Sequence, residues 1–279
     1  MFAKLMNEAA LTFTLRNEGP LLINSGAAAK IHPRPDMSFV RTVRDGKETV
    51  YLPGSSIKGV FRSRYEQVMR ALGQDVCDTF DSRENRTCNK KIRNIMKPPN
   101  GTERYALCCE ACKLFGTLAL GGRISFADAY PVGEWKVGMR HGVGIDRITG
   151  AAFPGALYDI ETLEDGTFEV KCKMINFTLY QLRMILWVLE DIHEGLVTFG
   201  MGGSRGNGQM QIADTDNVKL VYRKYSDDTT DDAPMLSRAE TDTLFYKQTV
   251  LSGLQEILTV LNIKTREELI GAIKSKAVK

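Results

Sequence analysis

Apolar and polar residues first alternate regularly in LTFTLRN, Leu11 to Asn17, where Leu11, Phe13 and Leu15 share one side of an extended chain. A period of two predicts a half-buried strand. From Ser56 the period lengthens. Ile57, Val60, Phe61, Tyr65, Val68 and Leu72 recur at helical spacing, with Lys58, Arg62 and Arg64 on the flank or opposite face. GRISFAD (Gly122 to Asp128) and TFEVKCKMIN (Thr167 to Asn176) predict two more strands. YQLRMILWVLEDIHEG then sets Leu182, Ile185, Leu186, Leu189 and Ile192 on one helical stripe, and GNGQMQIAD (Gly206 to Asp214) reads as a glycine-led last strand. The order βα, ββ, αβ is the split arrangement of a ferredoxin-like α+β fold.

What lies between these elements is too long for simple connections. Pro20 to Val50 holds three prolines and reads as a long ordered or ligand-dependent loop. The pattern divides the chain into a core over 1–220, with a loop at 24–50, a cysteine-bearing insertion at 73–121 and a protrusion at 133–166. An acidic linker follows at 221–234, carrying YSDDTTDD. Amphipathic helices are expected over 235–279, to cover the core or contact a neighbouring subunit.

Composition changes this picture little. Apolar residues make up 43% and charged residues 25%, as in ordinary soluble proteins, and the formal charge is only +3. Its distribution is uneven: Lys30 to Arg70 holds nine basic against four acidic residues, and Arg83 to Arg104 seven against two. A basic first half and an acidic later stretch are compatible with a charged groove. The N-terminal run MFAKLMNEAALTF lacks a long apolar stretch and no membrane-length run follows, so a cytoplasmic location is expected.

Several segments carry candidate chemistry. At YLPGSSIKGVFRS, Pro53-Gly54 turns the chain, Ser55 or Ser56 is placed to cap the helix, and the free amides with Lys58 attract anions. A capped, solvated helix and a phosphate site both fit. The pattern is not a Walker loop, which argues against a nucleotide-dependent enzyme. In FGMGGSRGNG, Phe199 to Gly208, five of ten residues are glycine, and Gly202, Gly203, Ser204, Arg205 and Gly206 suit close contact with a nucleic-acid backbone; a structural turn is the alternative. Arg140, His141 and Arg147 in the protrusion can meet phosphates, or Asp146 and Arg147 can pair in a folded lobe. Cys77, Cys88, Cys109 and Cys112 can close around a structural zinc, with Cys108 competing, or remain free thiols; Cys172 is expected to be packed in its strand.

GPLLINSG, Asp36 in PRPDMSFV, YLPGSSIKGVFRS, the CxxCKLFG run ending at Gly116, GRISFADAY, GIDRITGAA and MGGSRGNGQM occur in this order over roughly Leu11 to Ala213. Together they resemble the repeated backbone subunit of type III CRISPR RNA-guided effector complexes, within the RAMP family. The resemblance implies a ferredoxin-like RNA-recognition palm, a zinc-bearing insertion and a thumb-like protrusion. It also implies copies stacked along a CRISPR RNA, with complementary target RNA and other type III effector subunits as partners. Gly54 to Lys58, Arg62 and Gly202 to Gly206 would approach the guide, with Arg147 on the thumb, while Arg64 and Arg140 are candidate phosphate contacts from their charge and position alone. By position, Asp36 would be the target-cleaving carboxylate, acting with a divalent metal such as magnesium on the target's 2′-hydroxyl. Two other readings remain: the same scaffold without cleavage, and a zinc-containing interaction protein without RNA.

Overall fold

A computed structural model of the chain describes residues 4–24, 35–79, 81, 86–95, 99–225, 241–261 and 271. The acidic run from 226, most of the tail beyond 261, and His32 and Arg34 in the first long loop lie outside the described residues.

The first strand, β1 (Asn7–Asn17), alternates buried and less buried positions along its length, with Phe13 and Leu15 inward, as the period of two requires. A small hairpin, β2 (Arg41–Arg44) and β3 (Lys47–Val50), leads into α1 (Gly54–Ala71). Three short helices follow in the insertion: α2 (Cys88–Arg93), α3 (Gly101–Ala106) and α4 (Glu110–Phe115). The chain returns through β4 (Ile124–Phe126), then leaves the body as a long hairpin of β5 (Lys136–Ile145) and β6 (Ala152–Asp165). It re-enters as β7 (Thr167–Ile175), α5 (Leu179–His193) and the short β8 (Met210–Ile212).

β7 pairs with β1 and β4, and β8 pairs with the end of β1, all antiparallel. The spatial order β8-β1-β7-β4 is the split βαβ arrangement expected from the pattern. α1 and α5 pack on the same body, and Ile57, Phe61, Leu186 and Leu189 share one core with Phe13, Phe168 and Val170. The last predicted strand is shorter than expected, because the glycine-rich segment keeps its own turn geometry until Gly208, at φ +84°.

The C-terminal part differs from expectation. β9 (Lys219–Lys224) runs along the same edge of β1 as β8, spanning the boundary drawn at residue 220. β10 (Thr241–Asp242) and β11 (Lys247–Ser252) extend the sheet beyond it, and only then comes α6 (Leu254–Val260). The expected helical extension thus begins as strands. KQTVLS buries Thr249 and Leu251 at a period of two, a short signal that merges with the helical period following it.

The protrusion is a two-stranded hairpin rather than a lobe. Asp146 does not pair with Arg147. Its carboxylate instead accepts from Ile148 N (2.9 Å) and Thr149 Oγ1 (3.0 Å), closing the turn at the tip.

Candidate functional site

The helix corner uses its polar groups differently from the sequence expectation. α1 starts at Gly54 with Pro53 as its N-cap, and neither Ser55 nor Ser56 caps it. A distant carboxylate does so: Gly54 N donates to Asp128 Oδ1 at 2.7 Å. A Cβ at Gly54 would stand 2.3 Å from Phe126 O, so the glycine is needed where α1 crosses the end of β4. Lys58 is half buried near Gly122, and desolvation, followed by the Arg62 charge, lowers its pKa.

Arg62 and Arg64 are committed within the fold. Arg62 Nε donates to Glu66 Oε1 (2.8 Å), Nη1 to Gly116 O (3.1 Å), and Nη2 to Thr79 Oγ1 (3.2 Å) and Cys112 Sγ (3.5 Å). Arg64 Nε donates to Asp191 Oδ2 at 2.7 Å, tying α1 to α5. Ser56 and Arg64 also line a groove of about 480 Å³ that runs between α1 and the segment from Leu196 to Gly200.

Arg62 leads directly to the cysteines. The Sγ atoms of Cys77, Cys88, Cys109 and Cys112 all lie within 4.8 Å of one another, with Cys77 Sγ 3.4 Å from Cys112 Sγ and 3.8 Å from Cys109 Sγ. Four thiolates about 2.3 Å from a shared zinc stand roughly 3.8 Å apart, so the cluster fits that ion. Hydrogen bonds from Cys112, Cys77 and Cys88 hold the Cys109 thiol far below its ordinary pKa, while Cys109 drives Cys112 upward. Crowded sulfurs cannot all ionise without a cation between them. Cys108 is buried outside the four, and Cys172 packs in the main core on β7.

The glycine-rich segment forms a tight 3-10 turn over Gly203–Arg205, flanked by Gly202 and Gly206 in left-handed backbone. It is anchored by Gly208 N to Pro20 O (2.7 Å) and Met201 N to Leu22 O (2.9 Å), which leaves Ser204, Arg205 and Gly206 exposed. On one side it borders the groove beside α1, through Gly200. On the other it borders a cleft of about 410 Å³ against the long hairpin, where Arg140, Tyr158 and Arg205 gather with Met37 and Gly202. Arg205 Nη1 reaches Tyr158 Oη at 3.4 Å, and Arg140 pairs with Glu164 at 3.3 Å. Arg147 lies apart at the exposed hairpin tip, with no ion pair among the described residues.

Asp36 sits on a strand-like segment laid against β6. Met37 bridges Ile160, Asp159 N donates to Asp36 Oδ2 at 2.9 Å, and Arg41 makes two 2.6 Å bonds to Glu161. Asp159 in turn holds His141 Nδ1 at 2.6 Å across the hairpin. Asp159, Glu161 and Asp128 escaped sequence reasoning, since their roles depend on strand register, whereas Tyr158 is expected from the sequence to brace the protrusion or stack near bases. The only available signal was the alternation within β6, ALYDIETLED, which separates Tyr158 from Asp159 on opposite faces.

Residues 14–211 match the family described as RAMPs, the RAMP superfamily. No curated protein matches the chain.

Proposed function

The chain belongs to the RAMP superfamily, and from that premise we propose that it is an RNA-binding backbone subunit of a type III CRISPR effector assembly. In this reading it has a palm and a thumb and holds a guide RNA along the surface that joins α1, the glycine turn and the hairpin. One observation carries the reading: the glycine segment borders two depressions, the groove with Arg64 through Gly200 and the cleft with Arg140 through Gly202 and Arg205. A sugar–phosphate strand crossing both would meet backbone amides and cations without any base being read. Further copies and other subunits of the assembly would continue the path.

The four clustered cysteines would hold a structural zinc, which supplies a closed tetrahedral crosslink for the insertion and leaves no open position for catalytic water. In this reading Arg62 and Lys58 serve the fold that carries the RNA surface more than the RNA itself.

The assay is RNA binding by the assembled complex over a salt series. Arg205→Ala with Arg140→Ala should weaken guide binding for all sequences alike. Each lost phosphate contact should flatten the logarithmic salt slope by about 1. Crosslinks from RNA that avoid both α1 and the glycine turn would overturn the assignment.

A second reading adds cleavage of guide-paired target RNA at Asp36, favoured by the fixed carboxylate beside the hairpin base. Among the described residues, cysteine alone supplies a group of three or more converging ligands. Asp36→Ala should abolish target products while guide binding persists, whereas undiminished cutting would refute this reading.

A further inference from the structure

Strand alternation gives the long hairpin two chemically distinct faces. Arg140 and Gly142 on β5 stand opposite Ile160 and Tyr158 on β6, and these line the cationic cleft with Arg205. The intervening cross-strand pair, His141 and Asp159, alternates with these, and His141 also borders the cleft. Its Nδ1–Oδ1 distance is 2.6 Å, yet both side chains stay open to solvent, at 74% and 52% exposure. Asp159 is also the residue whose backbone N–H holds Asp36 Oδ2. Two hydrogen bonds therefore connect Asp36, Asp159 and His141 from the segment beside β6, from β6 and from β5. Asp36 Oδ1 and His141 Nε2 have no hydrogen bond among the described residues.

We propose that Asp36 and His141 are the base and the acid of one RNA-cleaving reaction, with Asp159 as the positioning residue that fixes both. The inference rests on the cleavage reading of this surface and names a catalytic group that reading lacks. An ionised carboxylate can only accept, so Asp159 requires a proton on Nδ1 and leaves Nε2 to face a substrate. The target's 2′-hydroxyl gives its proton to Asp36 Oδ1 as O2′ attacks the adjacent phosphorus. The P–O2′ bond forms, the P–O5′ bond breaks, and O5′ takes the proton from Nε2 of the imidazolium. The products are a 2′,3′-cyclic phosphate and a 5′-hydroxyl. Asp36 is left protonated and His141 neutral, and exchange with water restores both. No oxidation occurs.

Among the described residues, the charged groups near His141 are Asp159 on β6, Asp36 on the adjoining segment, Glu161 held by Arg41, and Arg140 held by Glu164. Arg205 lines the cleft that His141 borders.

The test is single-turnover target cleavage by the assembled complex between pH 5.5 and 8.5, a range that brackets the ordinary histidine pKa of about 6.5. The wild-type rate should fall on the alkaline side as imidazolium is lost. His141→Ala should slow cleavage by roughly 100-fold and erase that limb, and added imidazole should restore part of it. Asp159→Ala removes the acceptor that orients the imidazole, so cleavage should slow while guide binding persists. His141→Gln, which keeps a polar side chain on the hairpin, should be as slow as the alanine variant. A His141→Ala or His141→Gln complex with wild-type rate and profile would overturn the inference while Asp36→Ala remained inactive. A wild-type complex that never cuts, or Asp36→Ala cutting normally, would sink the cleavage reading and this inference with it.

Discussion

Asp146 shows how one side chain can hold an exposed device together. Its carboxyl lies below the ordinary value because Ile148 N–H and then Thr149 Oγ1–H favour the anion. A depressed folded value means that the contribution to the tip turn is complete above the unfolded carboxylate pKa, about 3.9. It is lost as pH falls through the lower folded value. The Ile148 amide should therefore lose protection relative to its intrinsic exchange rate under acid while the strands of the hairpin stay protected. An Ile148 amide equally protected below pH 3 would contradict this. At this scale the sequence was informative where residue type is rare and chemistry specific. Six cysteines, five of them close together, pointed to the four that converge. It was uninformative for cations, because a lysine or arginine reads the same whether it faces water or a carboxylate over a hundred positions away. Arg64 meets Asp191, and Arg41 meets Glu161.

Among the elements, α1 is the hub, and Arg62 is the bolt between it and the insertion. The guanidinium is mostly buried, its donors shared among Glu66, Gly116, Thr79 and Cys112. With zinc bound, four thiolates would leave a net negative cluster beside it, which a guanidinium offsets. Arg62→Met keeps the apolar stem and removes that charge. It should lower zinc retention against a chelator by about 10-fold, as loss of an outer-sphere partner does. Leaving Glu66 and Gly116 without this donor should cost on the order of 2–3 kcal/mol in thermal unfolding. Zinc held as firmly as in the wild type would place Arg62 outside the metal's environment. The helices and principal strands were legible because each buries one face against a shared core. The hairpin was not, because its exposed strands follow no core-facing alternation: Val143, Phe153 and Leu157 are all exposed, and Ile148 at the tip is 95% so.

Across the whole molecule, the βαββαβ body could be read from periodicity alone, whereas its sideways growth through β9, β11 and β10 could not. A strand that joins an existing sheet needs only a short period-two run, and KLVYRK and KQTVLS are each six residues long. What locates them is the free side of β1, a feature of the folded sheet and not of their own composition. Among the described residues, the main path of the sheet ends in two short strands, the two residues of β10 and the three of β4. Neither stub offers enough unpaired amides to recruit another chain by backbone zippering. On the reading proposed above, identical molecules set in a row would gain little from a 4.8 Å ladder at these two strands, and the nucleotide count between them would fix their spacing.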